Sequence, residues 1–520
     1  MSFLPAMTSW LKRNRTSVRM AFILRMVSMG LGSIFGLLWM RLLLRAMGDP
    51  LMGLFSNFQA LTRLGNLGDF GVSGALALKA GTMLGRGDET GLRSLLASAR
   101  SLFVVLALSL CGIFLALSPW LPHWLNFESV GGVGSMTCLF AYGGISMMVF
   151  IIGGYFASLN YAHGTVTWPI LPTIFLAQIL APFCHWRLAL LHVPLWLQLV
   201  PYLFATLLTI FLSWGMLKWS HPWLGNLKPL RVDFSEWKSL GSSSGWVYLV
   251  TVGATIYFTS DRLVIGAVIG NGVIPTYQAN YKACELCVSL IVTASFVGLP
   301  KMAQWIASPH EADRKRLLVE LNRLSVFEVV LCCGGVLGYL AFNNLFISIW
   351  LGKAYQAPLI WQFAFAANLA VTIGGNAGIQ MSMRTGDKGV RMAGIVVAGT
   401  GLLNLGLSIL SVKMGSIAGV AWATVLAQSI SSICLGTVTC RCLNLSPLRW
   451  IARCWLLPVG FTASAAALKE LFPDESLMHL GLLCLCYAGL FLVLCRLAGM
   501  NRELAQTELK QLRALFSMNK

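Results

Sequence analysis

The chain has 520 residues, of which 57% are hydrophobic and only 11% charged, and its mean hydropathy is +0.73. Soluble domains carry about 25% charged residues, so this composition excludes a soluble enzyme, a disordered chain and a protein held by one membrane anchor. An outer-membrane barrel is excluded too, because its strands would alternate polar and apolar residues. What remains is an all-α polytopic protein of the inner or another energised membrane.

At about 20 apolar residues per span, fourteen helices are predicted. Met1–Met20 lacks the order of charge, short apolar core and cleavage site of a signal peptide. Its basic cluster (Lys12, Arg13, Arg15, Arg19) leads into an uncleaved first span. The first six helices cover about 18–46, 51–78, 93–118, 133–158, 165–187 and 194–217. The next six cover about 240–268, 273–300, 317–342, 358–383, 389–412 and 416–440, and two more lie near 450–470 and 477–499. The longest connection, Lys218–Lys238, reads as a linker. The domain expectation is therefore a six-helix lobe at 1–217, a cytoplasmic linker at 218–239 and a second six-helix lobe at 240–442. Two additional helices follow at 443–499, with a basic tail at 500–520.

A net charge of +19 would suggest nucleic acid in a soluble protein, but its distribution says otherwise. With the N-terminus inside, 27 Lys and Arg fall in inside segments, six in outside segments (Arg41, Arg45, Arg187, Lys353, Lys413, Lys469) and five within spans. This is the positive-inside pattern, so the charge serves orientation and anionic lipid headgroups rather than nucleic acid. Both termini are expected in the cytoplasm. Trp residues at predicted helix ends, among them Trp120, Trp219, Trp350 and Trp450, read as interfacial anchors. Three GxxxG pairs, Gly32/Gly36, Gly241/Gly245 and Gly415/Gly419, are candidate close helix crossings.

A weak repeat at an offset of 222 residues pairs Gly48 with Gly270, Phe55 with Tyr277, Lys79 with Lys301 and Leu95-Leu96 with Leu317-Leu318. Six helices per half is an even number. The halves therefore enter from the same side, as parallel repeats with a cavity between them.

Enzyme chemistry finds little support. There is no GxxxxGK[ST] and no HExxH, the seven His are scattered, and no outside loop is long enough to fold as a catalytic domain. No metal or other cofactor is expected. Cys284-Glu-Leu-Cys287 has CxxC spacing, but no second pair or nearby His completes a zinc site, and packing is the reading taken.

Intramembrane charges carry the remaining information, since each costs about 2.5–3.5 kcal/mol at mid-bilayer unless it faces a cavity or a partner. Among them are Arg25 in helix one, Arg63 and Asp69 in helix two, Asp261 and Arg262 in helix seven, and Lys282 and Glu285 in helix eight. Lys282 and Glu285 are placed for an internal i,i+3 salt bridge or for a cavity. Arg25 and Arg63 have no opposite charge at i±3 or i±4 and are expected to line a polar cavity. With no nucleotide motif, transport would run on a gradient, and Asp69, Asp261 and Glu285 are the candidates to bind H⁺ or Na⁺, or else are structural partners of Arg or Lys.

Arg41-Leu-Leu-Leu-Arg-Ala-Met-Gly48, Gly53-Leu-Phe55 and Leu67-Gly-Asp-Phe-Gly71 resemble the opening of bacterial polysaccharide transporters. Ser260-Asp-Arg-Leu-Val-Ile-Gly266, Tyr277 with Ala283, Pro300, and Ile417-Ala-Gly-Val-Ala-Trp-Ala423 are similar to later motifs of that family. It is the oligosaccharide flippase branch of the MOP (MATE-like) superfamily. The resemblance implies two six-helix bundles, alternating access and a polyprenyl-pyrophosphate-linked glycan repeat unit as substrate. A polysaccharide polymerase and chain-length machinery are the implied protein partners. On that footing Arg25, Arg63, Arg262 and Lys282 are the expected pyrophosphate-binding cations, and Gln59, Asn66, Asn280 and Tyr281 are plausible sugar contacts. A MATE-like drug antiporter and a membrane glycan polymerase or ligase are the alternatives.

Overall fold

The computed structural model describes residues 18–86, 88–124, 133–163, 167–222, 224, 232–295, 302, 305–306, 310–385, 387–472 and 477–497. These residues are helical with short connections, and each of the fourteen expected helices has its counterpart. Helix α1 (Val18–Gly65) is two helices joined at Gly48, where φ 74° and ψ 169° break the ladder ahead of Pro50. Its second segment continues through a 3₁₀ turn (Asn66–Asp69) into α2 (Val72–Arg86). Then come α3 (Glu89–Leu117), α4 (Val133–Ala162), α5 (167–190), α6 (Leu195–Ser220) and α7 (Phe234–Val268). After these, α8 (Ile274–Ser295), α9 (Glu311–Trp350), α10 (Leu359–Ser382), α11 (Asp387–Lys413) and α12 (Ile417–Cys442) lead to α13 (447–471) and α14 (Leu477–Leu497). Among the described residues, ten helices are long and apolar enough to cross a membrane, and 245–257 and 359–372 are shorter apolar helices. Large apolar side chains such as Ile34, Phe211 and Leu485 are exposed, as lipid-facing residues must be.

The helix starts follow from local chemistry. Asp88 accepts from the Gly91 N–H at 2.9 Å and opens α3, Asp233 accepts from Ser235 N–H at 3.1 Å and opens α7, and Ser416 accepts from Gly419 N–H at 3.0 Å and opens α12. Gly270, the repeat partner of Gly48, also has positive φ (122°, with ψ 161°). L side chains avoid that backbone, so the two glycines mark equivalent breaks.

The chain forms two compact units, 1–275 and 276–520. The first is built on Leu76, Leu92, Leu96, Phe103, Ile151, Tyr155 and Leu217, all buried. One core cluster of the second contains Met302, Leu317, Leu321, Ala377 and Met381. The unit boundary differs from the linker expected at 218–239, because α7 packs with the first unit. The Trp237 indole N–H donates to the Ser98 carbonyl at 3.1 Å, Lys79 donates to Ser239 Oγ at 2.5 Å, and Phe70 meets Tyr248 with ring centroids 5.4 Å apart.

Trp120 and Trp219 are exposed at helix ends, as interfacial anchors should be. Trp350 and Trp450 are buried and pack inside the protein instead. Only one glycine in each of two GxxxG pairs is crowded, and the third pair is not crowded at all. A Cβ at Gly32 would lie 3.2 Å from Gln178 Nε2 and one at Gly419 would lie 2.8 Å from Ser411, whereas Gly36, Gly241 and Gly245 face open space. The tightest crossings are at glycines outside these pairs, notably Gly53, Gly266 and Gly436.

The ends of α4 and α6 meet through His163 and His221, with ring centroids 4.5 Å apart. His163 Nδ1–H donates to the Leu159 carbonyl at 2.9 Å. It lies just past the span ending at Ala162, and burial lowers its affinity for a proton below the ordinary histidine range. The folded state then binds fewer protons than the unfolded chain, so its stability rises with pH. That contribution is complete above the ordinary range, near 6.5, and is lost as pH falls below it. In thermal melts, His163→Gln is expected to flatten the acid side of the stability profile relative to the parent. Parallel profiles would remove His163 from that role.

Candidate functional site

In the first unit, the polar interior gathers around α1. The fifth helix contains a π-helical segment, Thr173–Leu180, between Pro172 and Pro182. Its widened turn carries Gln178 toward α1, where Gln178 Nε2 donates to Ser28 Oγ at 3.1 Å. Trp39 Nε1–H donates to the Gln178 carbonyl at 3.0 Å, which satisfies a backbone acceptor there. Ser28 lies three residues after Arg25, so the polar contact is one helical turn from the Arg25 position. The side chains of Arg25, Arg63 and Asn66 lie outside the described residues.

Asp69 is half-buried and already occupied. It accepts from the Gly71 N–H at 2.9 Å and from Ser73 Oγ–H at 2.5 Å, and so organises the turn that opens α2. Phe70 (φ 50°) and Gly71 (φ 73°) complete that turn. Its partners in that turn are thus a backbone amide and a hydroxyl. The carboxylate also lies within electrostatic range of Tyr248 on α7. Asp261 and Arg262 are half-buried on α7, and each has an interaction with its surroundings.

A second polar group sits beside the Gly270 break. Asn57, fully buried, donates through Nδ2 to Asn271 Oδ1 at 2.7 Å. Nearby, the buried His185 ring meets Phe55 edge to face at 4.8 Å and shares a 3.2 Å hydrogen bond with the Tyr202 hydroxyl.

In the second unit, Lys282 Nζ and Glu285 Oε2 form the i,i+3 ion pair at 2.8 Å, with both side chains partly exposed. A partly exposed pair contributes little to stability, about 0–1 kcal/mol. Tyr281 packs against Phe365 with centroids 5.5 Å apart. Asn280 does not behave as a sugar contact. It is completely buried, its Nδ2 donates to the carbonyls of Thr276 and Tyr355 at 2.8 Å each, and its Oδ1 accepts from Asn343 Nδ2 at 2.9 Å.

The sequence reading passed over Glu328. It sits in α9 with 1% of its surface exposed. Its Oε1 accepts from Asn376 Nδ2 at 2.7 Å, and its Oε2 accepts from the backbone N–H of Ala377 at 2.9 Å. The same unit also buries Asn368, Thr372, Gln428 and Ser432 on α10 and α12. The available signal was a carboxylate followed by more than twenty residues without a charge, from Val329 to Gly352. Gln178 carried no comparable signal. Among the described residues, no three His, Cys, Asp or Glu side chains converge as a metal site. Cys284 of the CxxC pair is buried, and its thiol points at the Phe365 carbonyl at 3.6 Å.

No protein-family model and no curated protein sequence matches the chain. Solved structures do. The chain is similar to the lipid II flippase MurJ in an inward closed conformation, at 16% identity, covering 91% of this chain and 98% of that one, with a TM-score of 0.65. It is similar to an inward-facing multidrug-resistance MATE transporter of the MOP superfamily, at 11% identity, 81% and 98% coverage and a TM-score of 0.60. A MOP-superfamily transporter from Pyrococcus furiosus, described as having a binding pocket of reversed polarity, matches at 14% identity, 83% and 95% coverage and a TM-score of 0.54. This chain is a multi-pass membrane protein with the fold of the MOP-superfamily transporters.

Proposed function

We propose that the chain is a flippase that moves a polyprenyl-pyrophosphate-linked oligosaccharide repeat unit across the inner membrane for surface or exopolysaccharide synthesis. It works by alternating access between the lobes 1–217 and 240–442. The extent of the likeness to the lipid II flippase carries this reading. A match over 91% of the chain is too long to omit the whole stretch from Pro447 onward, whereas the 81–83% matches to the other MOP transporters are not. The helices beyond the six-plus-six repeat therefore fit the flippase comparison better than the antiporter one. Intramembrane cations point the same way. Arg25, Arg63, Arg262 and Lys282 suit a pyrophosphate anion, which must be kept from losing its hydration uncompensated.

In the proposed cycle the glycan occupies the wet cavity, the pyrophosphate meets the cations, and the polyprenyl tail stays in lipid. Asp69, Asp261 and Glu285 are the proposed coupling carboxylates for H⁺ or Na⁺. If Asp69→Asn, Asp261→Asn and Glu285→Gln each leave transport rate and its pH dependence unchanged, that coupling is wrong. The direct experiment reconstitutes the protein in vesicles with a fluorescent lipid-linked oligosaccharide on one leaflet. Protein-dependent loss of protection from an impermeant glycosidase supports flipping. Transport of a cationic dye with no movement of the lipid-linked glycan would favour the antiporter, and polymer formed from lipid-linked units by the purified protein would favour the enzyme.

Orientation has its own test. Both termini, the 218–238 segment and the 301–316 segment are expected in the cytoplasm. Single cysteines placed there in a cysteine-depleted background should react with an impermeant maleimide only after the cells are opened. Reaction in intact cells at either segment would overturn the orientation and the six-plus-six assignment together.

A further inference from the structure

Glu328 has a place in the second unit that none of the proposed coupling carboxylates shares. It is almost fully buried, and it takes a backbone N–H from the middle of a neighbouring helix. In a continuous α-helix the Ala377 N–H would bond only to the carbonyl four residues earlier. Here the carboxylate reaches across from α9 to that same donor, beside the sequence Gly374-Gly375-Asn376. Hydroxyls from α12 brace α10 on either side. Ser432 donates to the Val371 carbonyl and Thr439 to the Gly378 carbonyl, each at 2.7 Å. The shape of α10 between residues 371 and 378 is thus held by side chains of its neighbours, one of which can change its charge.

An ionised carboxylate accepts at both oxygens, as Glu328 does with Asn376 and Ala377. A protonated one turns one oxygen into a donor, and two N–H groups can no longer both be served in the same way. Burial disfavours the charged form while the two donors favour it, so opposing effects meet at this one group. Several ionisable groups lie on the helices around it. Cys332 on α9 and Cys454 on α13 lie within electrostatic range of the carboxylate. Arg453, beside Cys454, hydrogen-bonds Asn322 on α9. Helix α10 carries no ionisable side chain at all. Lys469 lies at the opposite end of α13 from Arg453, and α14 meets α9 farther along, where Phe491 faces Gly334.

We infer that Glu328 is a proton-binding site of the second unit, and that its occupancy switches α10 between a form clamped to the carboxylate at Asn376 and Ala377 and a form released from that clamp. Its role in driving transport rests on the transporter reading above, but its existence as a proton site does not. The test uses the full chain in nanodiscs and a hydrophobic carbodiimide, which adds to protonated carboxyls in apolar surroundings as a stable N-acylurea. Peptide mass spectrometry should find the adduct on Glu328, rising as the pH is lowered. Hydrogen exchange of a peptide spanning 371–381, corrected for the intrinsic rate, should change over the same pH range. In Glu328→Gln the exchange should lose this pH dependence. No adduct at Glu328, an adduct independent of pH, or exchange with the same pH dependence in Glu328→Gln would each overturn the proposal. The adduct experiment needs no variant, so it remains decisive if Glu328→Gln fails to fold. Loss of this site with glycan flipping intact would leave the proposed function standing, and an intact site without flipping would do the reverse.

Discussion

Replacing Arg25 or Arg63 by alanine is expected to abolish glycan export while the protein stays folded and at normal abundance. A guanidinium presents paired donors to phosphate oxygens and remains charged in apolar surroundings. Each charge-assisted contact of that kind contributes about 1.5–3 kcal/mol, which corresponds to roughly a ten- to hundredfold loss in rate. Two such losses in series would leave export undetectable in a complementation assay. Arginine-to-lysine changes should recover part of the rate, because the charge survives and the fork does not. The measurements are surface glycan by immunoblot, vesicle flipping, and protein level in the membrane fraction. Full activity in both alanine variants would sink the cationic cavity. Disappearance of the protein would instead make the arginines structural partners of carboxylates. The contact of Gln178 with Ser28 gives this expectation a local setting, since it places a polar patch of α5 one turn from residue 25.

Much of the architecture was legible because the membrane allows few solutions. Every backbone group must be satisfied within the span, so a long apolar run has to be a helix, and all fourteen were found where the runs lie. The Gly48 and Gly270 pairing emerged from the repeat and reappears as two breaks with positive φ. The i,i+3 relation of Lys282 and Glu285 was enough to place their ion pair. Contacts between distant helices were not legible. Trp450 at a helix end looks like an interfacial anchor, yet its ring fills a gap between α10 and α12 that only the folded chain creates. Asn280 looks like a free amide, yet carbonyls of Thr276 and Tyr355 and the amide of Asn343 consume it. GxxxG spacing misses the tight crossings for a related reason. Close approach requires a glycine facing its neighbour, and spacing along one helix says nothing about what lies opposite.

The tight crossings yield an expectation as large as the arginine one, read as stability rather than rate. A Cβ on Gly436 would sit 2.0 Å from the Trp450 ring, and one on Gly378 would sit 2.7 Å from the same ring. An indole is rigid, so Gly436→Ala must push α13 away from α10 and α12, at about 1–3 kcal/mol or more for an overpacked interior. A Cβ on Gly53 would sit 1.8 Å from the backbone oxygen of Asn271, where no side chain can swing aside. A Cβ on Gly266 would sit 1.8 Å from Asn57 Nδ2, a side-chain atom. The three alanine variants should all lose thermal stability, but their rescues should differ. Trp450→Leu should recover part of the loss of Gly436→Ala, and Asn57→Ala part of the loss of Gly266→Ala, because each removes the obstructing atoms. Asn57→Ala should recover none of the loss of Gly53→Ala, whose obstacle is main chain. Double-mutant cycles on melting in detergent, read by size-exclusion chromatography, measure these couplings directly. Additive behaviour in the Gly436–Trp450 and Gly266–Asn57 cycles would mean that the helices do not cross as closely as 2 Å contacts demand. Coupling confined to those two cycles would establish α1 against α7, and α13 against α10 and α12, as the crossings on which the fold depends.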